Sequence, residues 1–176
     1  PNIKLDLGKI YNSADRYVQK IVIPSKKEIK NILLWRPIDI SEIEKVTSKG
    51  GNWIILIKSA TNVLKGDNFV FVYPELLENK LILRRGEIIT SEILERKDLD
   101  SKNINLEIKN LLGQTRDKIK SRGSIANEIN TRGDFIKKIR DSLKINQNNK
   151  YLLEVVSLRD SKTAESIIVD LNVTGL

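Results

Sequence analysis

Carboxylates and lysines of this chain fall twice at a spacing that suits metal-dependent hydrolysis. Asp67 precedes Glu78-Asn79-Lys80, and Asp98 or Asp100 precedes Glu107-Ile108-Lys109. An Asp and a Glu on neighbouring strands can hold Mg²⁺, and a Lys two residues after the Glu can orient the attacking water. The chain contains neither His nor Cys. That excludes disulfides, Cys/His zinc sites, Cys nucleophiles and any mechanism with a His base. Catalysis would rest on carboxylates, Lys, Tyr, Ser or Thr and carboxylate-bound Mg²⁺.

This spacing resembles that of the PD-(D/E)xK nucleases. The same pattern arises by chance in a chain with 31% charged residues, and Asp67 and Glu78 also read as turn residues. A Mg²⁺-dependent nuclease is therefore the third reading. It requires the Asp and ExK side chains within about 5 Å of a common ion, since metal–oxygen bonds run near 2.1 Å.

Positive charge makes the second reading. The formal net charge is +8, which suits an anionic partner. In the last third, a helix over 106–120, a short helix over 124–129, a four-residue turn, a basic helix over 134–145 and a hairpin over 151–173 follow one another. This order resembles a winged helix-turn-helix, and Ala126 is small where the second helix would pack closely on the third. The resemblance implies nucleic-acid binding by 106–173, with Arg132, Lys137, Lys138, Arg140 and Lys144 near phosphates and bases. The third helix departs from the pattern: only Ser142 is suited to reading base edges. The competing reading is a solvated helix face. Clustering discriminates: Lys118, Lys120, Arg122, Arg132, Lys137, Lys138, Arg140 and Lys144 must share a surface unbroken by Glu107, Asp117, Glu128 and Asp141. Lys (21) also outnumbers Arg (10). That ratio fits the codon bias of an A/T-rich genome better than selection for bidentate phosphate contacts.

Smaller motifs have plainer readings. Arg132-Gly133-Asp134 matches the integrin tripeptide but is more economical as the start of a helix. Gly50-Gly51 lacks the Lys-Ser/Thr of a phosphate loop. Trp35 and Trp53 read as core, and aromatic residues at 5% are too few for a base-stacking platform.

The elements behind these residues centre on 52–89. NWIILIKSA, DNFVFVYP and NKLILRRGEII are the most apolar and β-branched runs. The turn residues of 65–68 and 74–79 separate them, so they read as consecutive antiparallel strands. Both faces of the first two are apolar, which predicts cover on both sides; the Arg84-Arg85 end is expected to be exposed. Upstream, the alternation of Ile3, Leu5 and Leu7 predicts a short strand ended by Gly8. Ser13 caps a helix over 13–23 that aligns Ala14, Tyr17, Val18 and Ile21, with a strand over 17–23 as the alternative; Pro24 ends either. Capping boxes at 25–28 and 41–44 predict two helices, the second running to about Ser48; a strand over 31–35 competes with the first. Residues 92–100 read as a helical turn or loop. Ile104, Ile108, Leu111, Leu112, Thr115 and Ile119 form one helical stripe, and Phe135, Ile136, Ile139 and Leu143 another.

The fold class expected is α+β, in a single domain over 1–176: a mostly antiparallel sheet with flanking helices and a C-terminal β-hairpin. The only internal boundary suggested is weak, near 98–102. No run approaches the roughly 20 apolar residues of a spanning helix, and no signal peptide opens the chain. Pro1 reads as a mature N-terminus left after Met removal, and two ordered, untagged ends are expected of a protein held inside a larger structure. By elimination, the leading expectation is a non-enzymatic structural or assembly subunit without a cofactor, partnered by copies of itself and other subunits. Its expected home is a phage-like virion (tail, neck or baseplate) or the host cytoplasm, without membrane contact.

Overall fold

The computed structural model describes residues 3–22, 33–64, 66–99, 103–145 and 147–176. Pro1 lies outside them. The fold is α+β: among the described residues, four α-helices accompany mixed and antiparallel sheets, and the chain closes on an antiparallel strand pair. The chain divides into two compact units, Pro1–Glu78 and Asn79–Leu176, each with its own apolar cluster. The stretch 98–102 lies in the second unit, and 100–102 fall outside the described residues.

The first unit opens with helix α1, Ile3–Val22. It runs through the expected strand at residues 3–7, past Gly8 and Ser13, and replaces the alternative strand over 17–22. A five-residue alternation is weaker than a stripe that repeats over several turns. Leu7, Tyr11, Ala14 and Val18 make that stripe, and the last three pack against Leu33, Val70 and Val72. Tyr17, expected on the inner stripe, is 68% exposed. Pro24 and the capping box at 25–28 lie outside the described residues.

Strand β1, Leu33–Leu34, runs parallel to β3, Val70–Glu78. Helix α2 spans Pro37–Thr47 and begins four residues before the capping box at Ser41. Pro37 starts it, since the amide a proline lacks has no partner in a first turn. Ser41 instead donates its hydroxyl to Ile38 O inside the helix, at 2.8 Å. Gly51 follows with φ +101°, and a Cβ there would lie 2.9 Å from Trp53 Nε1, so glycine is required on both counts. Strand β2, Trp53–Ser59, pairs antiparallel with β3 from Trp53↔Glu78 to Ser59↔Val72. The strand order is β1-β3-β2.

Two expectations for the central strands fail here. Pro74, expected to open a turn, sits inside β3 opposite Ile57. On its other side β3 meets β1 only at Val70 and Phe71, so no described strand seeks the amide hydrogen that Pro74 lacks. The third run does not extend this sheet either. Leu81–Leu83, strand β4, pairs instead with β8, Ser161–Lys162, some 80 residues away.

The second unit holds a four-stranded sheet. Strand β5, Ile88–Glu95, pairs antiparallel with β7, Lys150–Ser157, and β7 with β9, Ile167–Gly175. β5 takes up the first half of the stretch expected to be a helical turn or loop, and a helical turn, of 3₁₀ type, follows over Arg96–Leu99. The expected helix at 124–129 is absent. Ser124 Oγ accepts Ala126 N–H at 3.1 Å, and Ile125 N–H donates to Thr163 O at 3.0 Å. Strand β6, Ile129–Thr131, then joins the sheet parallel to β9. Helices α3, Ile104–Ser121, and α4, Phe135–Ile145, bring both expected stripes to one core. Ile104, Leu111, Ile119 and Ile139 meet Tyr151, Leu153, Val155, Ile167 and Val169 there, all buried. Each fully buried Leu, Ile or Val side chain contributes about 1.5–3 kcal/mol.

Candidate functional site

The described carboxylates of the two expected metal constellations have local roles of their own. Asp67 spends a carboxylate oxygen on Leu64 N–H at 2.8 Å, as a loop-closing residue does. Glu78 ends β3, paired with Trp53. Asp98 accepts Glu95 N–H at 3.3 Å, and Asp100 lies outside the described residues. Among the described residues, no three of His, Cys, Asp or Glu gather around one point. Glu107 instead faces another carboxylate: burial, and then the Glu107 charge, raise the pKa of Glu92.

The basic helix forms, but the motif around it does not. With 124–129 non-helical, α4 has no preceding short helix to complete a helix-turn-helix. Lys137, Arg140 and Lys144 are exposed on α4, and Arg132 is exposed on the turn before it. Lys138 is drawn back to Asp170 of β9, and Lys144 lies 3.9 Å from Asp141. Arg132-Gly133-Asp134 serves as the helix start: Gly133 takes φ +77°, and Asp134 Oδ1 accepts Lys137 N–H at 3.2 Å.

The sheet of the first unit carries the more distinctive surface. Along β3, Val70 and Val72 point into the core, while Phe71 and Tyr73 point out, 49% and 41% exposed. Phe69, 53% exposed, meets Phe71 edge to face with ring centroids 5.4 Å apart. On the neighbouring strand Leu34 is 40% exposed, while Leu33 beside it is buried. Cover on both faces was expected; among the described residues, β3 is covered on one. The signal was the alternation itself, which places Phe71 and Tyr73 together and apart from Val70 and Val72.

A groove of about 460 Å³ runs along this face, lined by Leu34, Trp35, Arg36, Ala60, Thr61, Phe71, Val72 and Tyr73. Its floor is fixed from behind. Trp35 and Tyr11 pack with ring centroids 5.7 Å apart, and Ala60 N–H donates to Phe71 O at 2.8 Å. Trp35 is half-buried against the cluster; Trp53 on β2 is also half-buried, but its indole N–H donates to Gly50 O at 2.8 Å and it is not part of that cluster. Charges at the rim are already paired. Arg36 reaches Asp39 through Nε at 3.0 Å and Nη2 at 2.7 Å, and that hydrogen-bonded guanidinium holds the Asp39 carboxyl below its usual range. Lys58 pairs with Glu75 across β2 and β3, which raises the lysine pKa. The groove thus offers aromatic and aliphatic surface between neutralised ion pairs, which suits docking more than bond-breaking.

No described helix is long and apolar enough to cross a membrane. Compared with protein-family models, curated proteins and solved structures, the chain matches none at a significant level.

Proposed function

We propose that the chain is a non-enzymatic assembly subunit, and that the aromatic face of β3 docks its partners, copies of itself first among them. One observation carries the reading. Phe69, Phe71, Tyr73 and Leu34 hold about half their surface open on a strand pair whose alternate side chains form a core. Large aromatics concentrate in the centres of protein interfaces, and a contiguous apolar patch on a folded chain marks a contact surface. A phage-like tail, neck or baseplate is the narrower form of the proposal, and a ring-sized mass is the result it expects.

Native mass by light scattering, at several concentrations and at low and high salt, tests it. An aromatic side chain buries on the order of 200 Å² in full. Half of that, at about 25 cal/mol per Å², is roughly 2.5 kcal/mol per ring. Phe71→Ser with Tyr73→Ser should therefore weaken association well over tenfold and leave far-UV circular dichroism unchanged. A wild-type chain that stays monomeric throughout, or a variant that associates as tightly, refutes the proposal.

A further inference from the structure

We infer that the β4 end of the second unit binds the phosphate backbone of duplex nucleic acid, at an arginine cluster outside α4. Four of the chain's ten arginines, Arg84, Arg85, Arg122 and Arg159, sit on the elements of this end. Lys80, Arg84 and Arg122 line one groove of about 590 Å³ with Glu87 and the strand Leu81–Leu83. Arg85 joins from the adjacent turn, where its N–H donates to Asp160 Oδ1 at 2.8 Å; Asp160 follows Arg159 in the chain.

Codon bias accounts for an excess of lysine, but it does not gather arginine. The guanidinium fork matches phosphate oxygens two at a time, which an ammonium cannot.

The three local carboxylates, Glu87, Asp160 and Glu165, are outnumbered by the six cations Lys80, Arg84, Arg85, Arg122, Arg159 and Lys162, which leaves a formal excess of +3. Glu87 Oε2 accepts Arg84 N–H at 3.0 Å, and its Oε1 takes the Arg122 guanidinium. These bonds lower the Glu87 pKa, so it stays ionised and held in place. Asp160 accepts Arg85 N–H, and Glu165 accepts Lys162 N–H at 2.9 Å. Arg159 donates to Ser166 O and Oγ, which are neutral acceptors. Among the described residues, no carboxylate forms a salt bridge with Lys80, Arg85, Arg159 or Lys162, and Arg84 acts on Glu87 through its charge without a direct ion pair.

The scaffold beneath is stiff. Gly86 takes φ +80° in the turn and donates to Ser157 O at 2.7 Å, and Ser157 N–H returns to Glu87 O at 2.9 Å. Preorganised cations lose less freedom on binding than mobile ones. No aromatic residue lines the groove, so it has nothing on which to stack unpaired bases. A duplex contacted through its phosphates, without sequence preference, is the partner this chemistry fits.

The inference stands independently of the assembly reading. Fluorescence anisotropy of the full chain with a labelled mixed-sequence 20-mer duplex, from about 50 to 200 mM salt, tests it. Each phosphate contact contributes about 0.9 to the slope of log K against log salt. Arg84→Ala with Arg85→Ala should weaken binding at least tenfold and flatten that slope by about 2. Lys80→Gln, elsewhere in the groove, should flatten it by about 1. Lys137→Ala with Arg140→Ala on α4 should change neither. Matching circular dichroism spectra confirm that each variant is folded. Absence of salt-dependent binding overturns the inference, as does wild-type binding by the Arg84/Arg85 variant. So does an equal loss from the α4 variant, or competition by poly-glutamate as effective as that by duplex, which would mark the surface as one for acidic protein.

Discussion

Asp15→Ala tests whether α1 is held to the first sheet by side chains that stand in for a strand. Leu33 is buried. Its N–H donates to Asp15 Oδ1 at 2.9 Å, and its C=O accepts the Tyr11 hydroxyl. Both backbone groups of this residue are therefore met by side chains of α1. A buried N–H left without an acceptor costs about 1–3 kcal/mol, and a hydrogen bond to a charged acceptor is worth about 1.5–3. These figures describe the same bond, so the expected loss is about 2–3 kcal/mol. Asp15→Asn keeps a carbonyl oxygen for Leu33 and should recover more than half of it. Tyr11→Phe should cost less, near 1 kcal/mol, because an under-satisfied carbonyl is better tolerated than a bare N–H. The double variant should depart from additivity, since both residues serve Leu33. Both tryptophans, Trp35 and Trp53, lie in the first unit, so their fluorescence during urea or thermal unfolding follows this unit. For a unit of fewer than 100 residues, 1 kcal/mol moves Tm by about 4–8 °C, and Asp15→Ala should lower it by roughly 10–20 °C. A loss below about 0.5 kcal/mol, well under the range for a deserted buried donor, refutes the reasoning and leaves apolar packing as the sole tie. An Asn variant as damaged as the Ala variant refutes it too.

Glu92→Gln should stabilise the second unit at pH 7. Burial and the Glu107 carboxylate raise the Glu92 pKa, and its buried Oε2 finds no hydrogen-bond partner among the described residues. A raised carboxyl binds its proton more readily in the folded than the unfolded state. Folding is then penalised as pH climbs from the ordinary value near 4.3 through the raised one, and the penalty vanishes below the ordinary value. Denaturation midpoints by circular dichroism should favour the variant at pH 7 and coincide near pH 4; a variant less stable at pH 7 contradicts this. Gly51→Ala should destabilise by about 1–2 kcal/mol through left-handed strain, with the Trp53 contact adding to it, read as a lower midpoint in tryptophan fluorescence.

Where packing is local, the sequence carries the fold. The stripes of α3 and α4 bury at the expected positions because one apolar face must meet one core, and the helical period names that face. The hairpin of β7 and β9 follows from alternation, with Leu153, Val155 and Ser157 buried and Leu152 and Val156 half-buried. The misreadings share a different cause. Residues 124–128 have helical composition, yet Ile125 bonds to Thr163 and Ile129 pairs with Ile167. Those partners lie about 40 residues away, and tertiary pairing overrides local preference. Pro74 misleads for a related reason: whether proline is tolerated depends on which side of the strand is paired, and only the two-residue length of β1 settles that.

The candidate surfaces differ in the same way. The aromatic face could be read in part, because Phe69, Phe71 and Tyr73 are close in sequence and alternation assigns them to one side. What alternation cannot state is whether that side is covered. Coverage depends on elements elsewhere in the chain, and a strand rich in aromatics reads alike whether it is capped or open. The arginine cluster had no local signal beyond the expected exposure of Arg84 and Arg85. Arg122 enters through the end of α3, and Arg159 through the turn after β7. Only the pairing of β4 with β8 brings that turn beside Arg85. Basic residues dense along a helix are conspicuous in a sequence, as on α4, where Lys137, Arg140 and Lys144 at i, i+3 and i+7 share one exposed face of a single element. Charges delivered by separate elements are inconspicuous, and the fold can aim them together. The search for an anion site in a lysine-rich chain is therefore better guided by where the fold gathers its arginines than by where the sequence gathers its lysines.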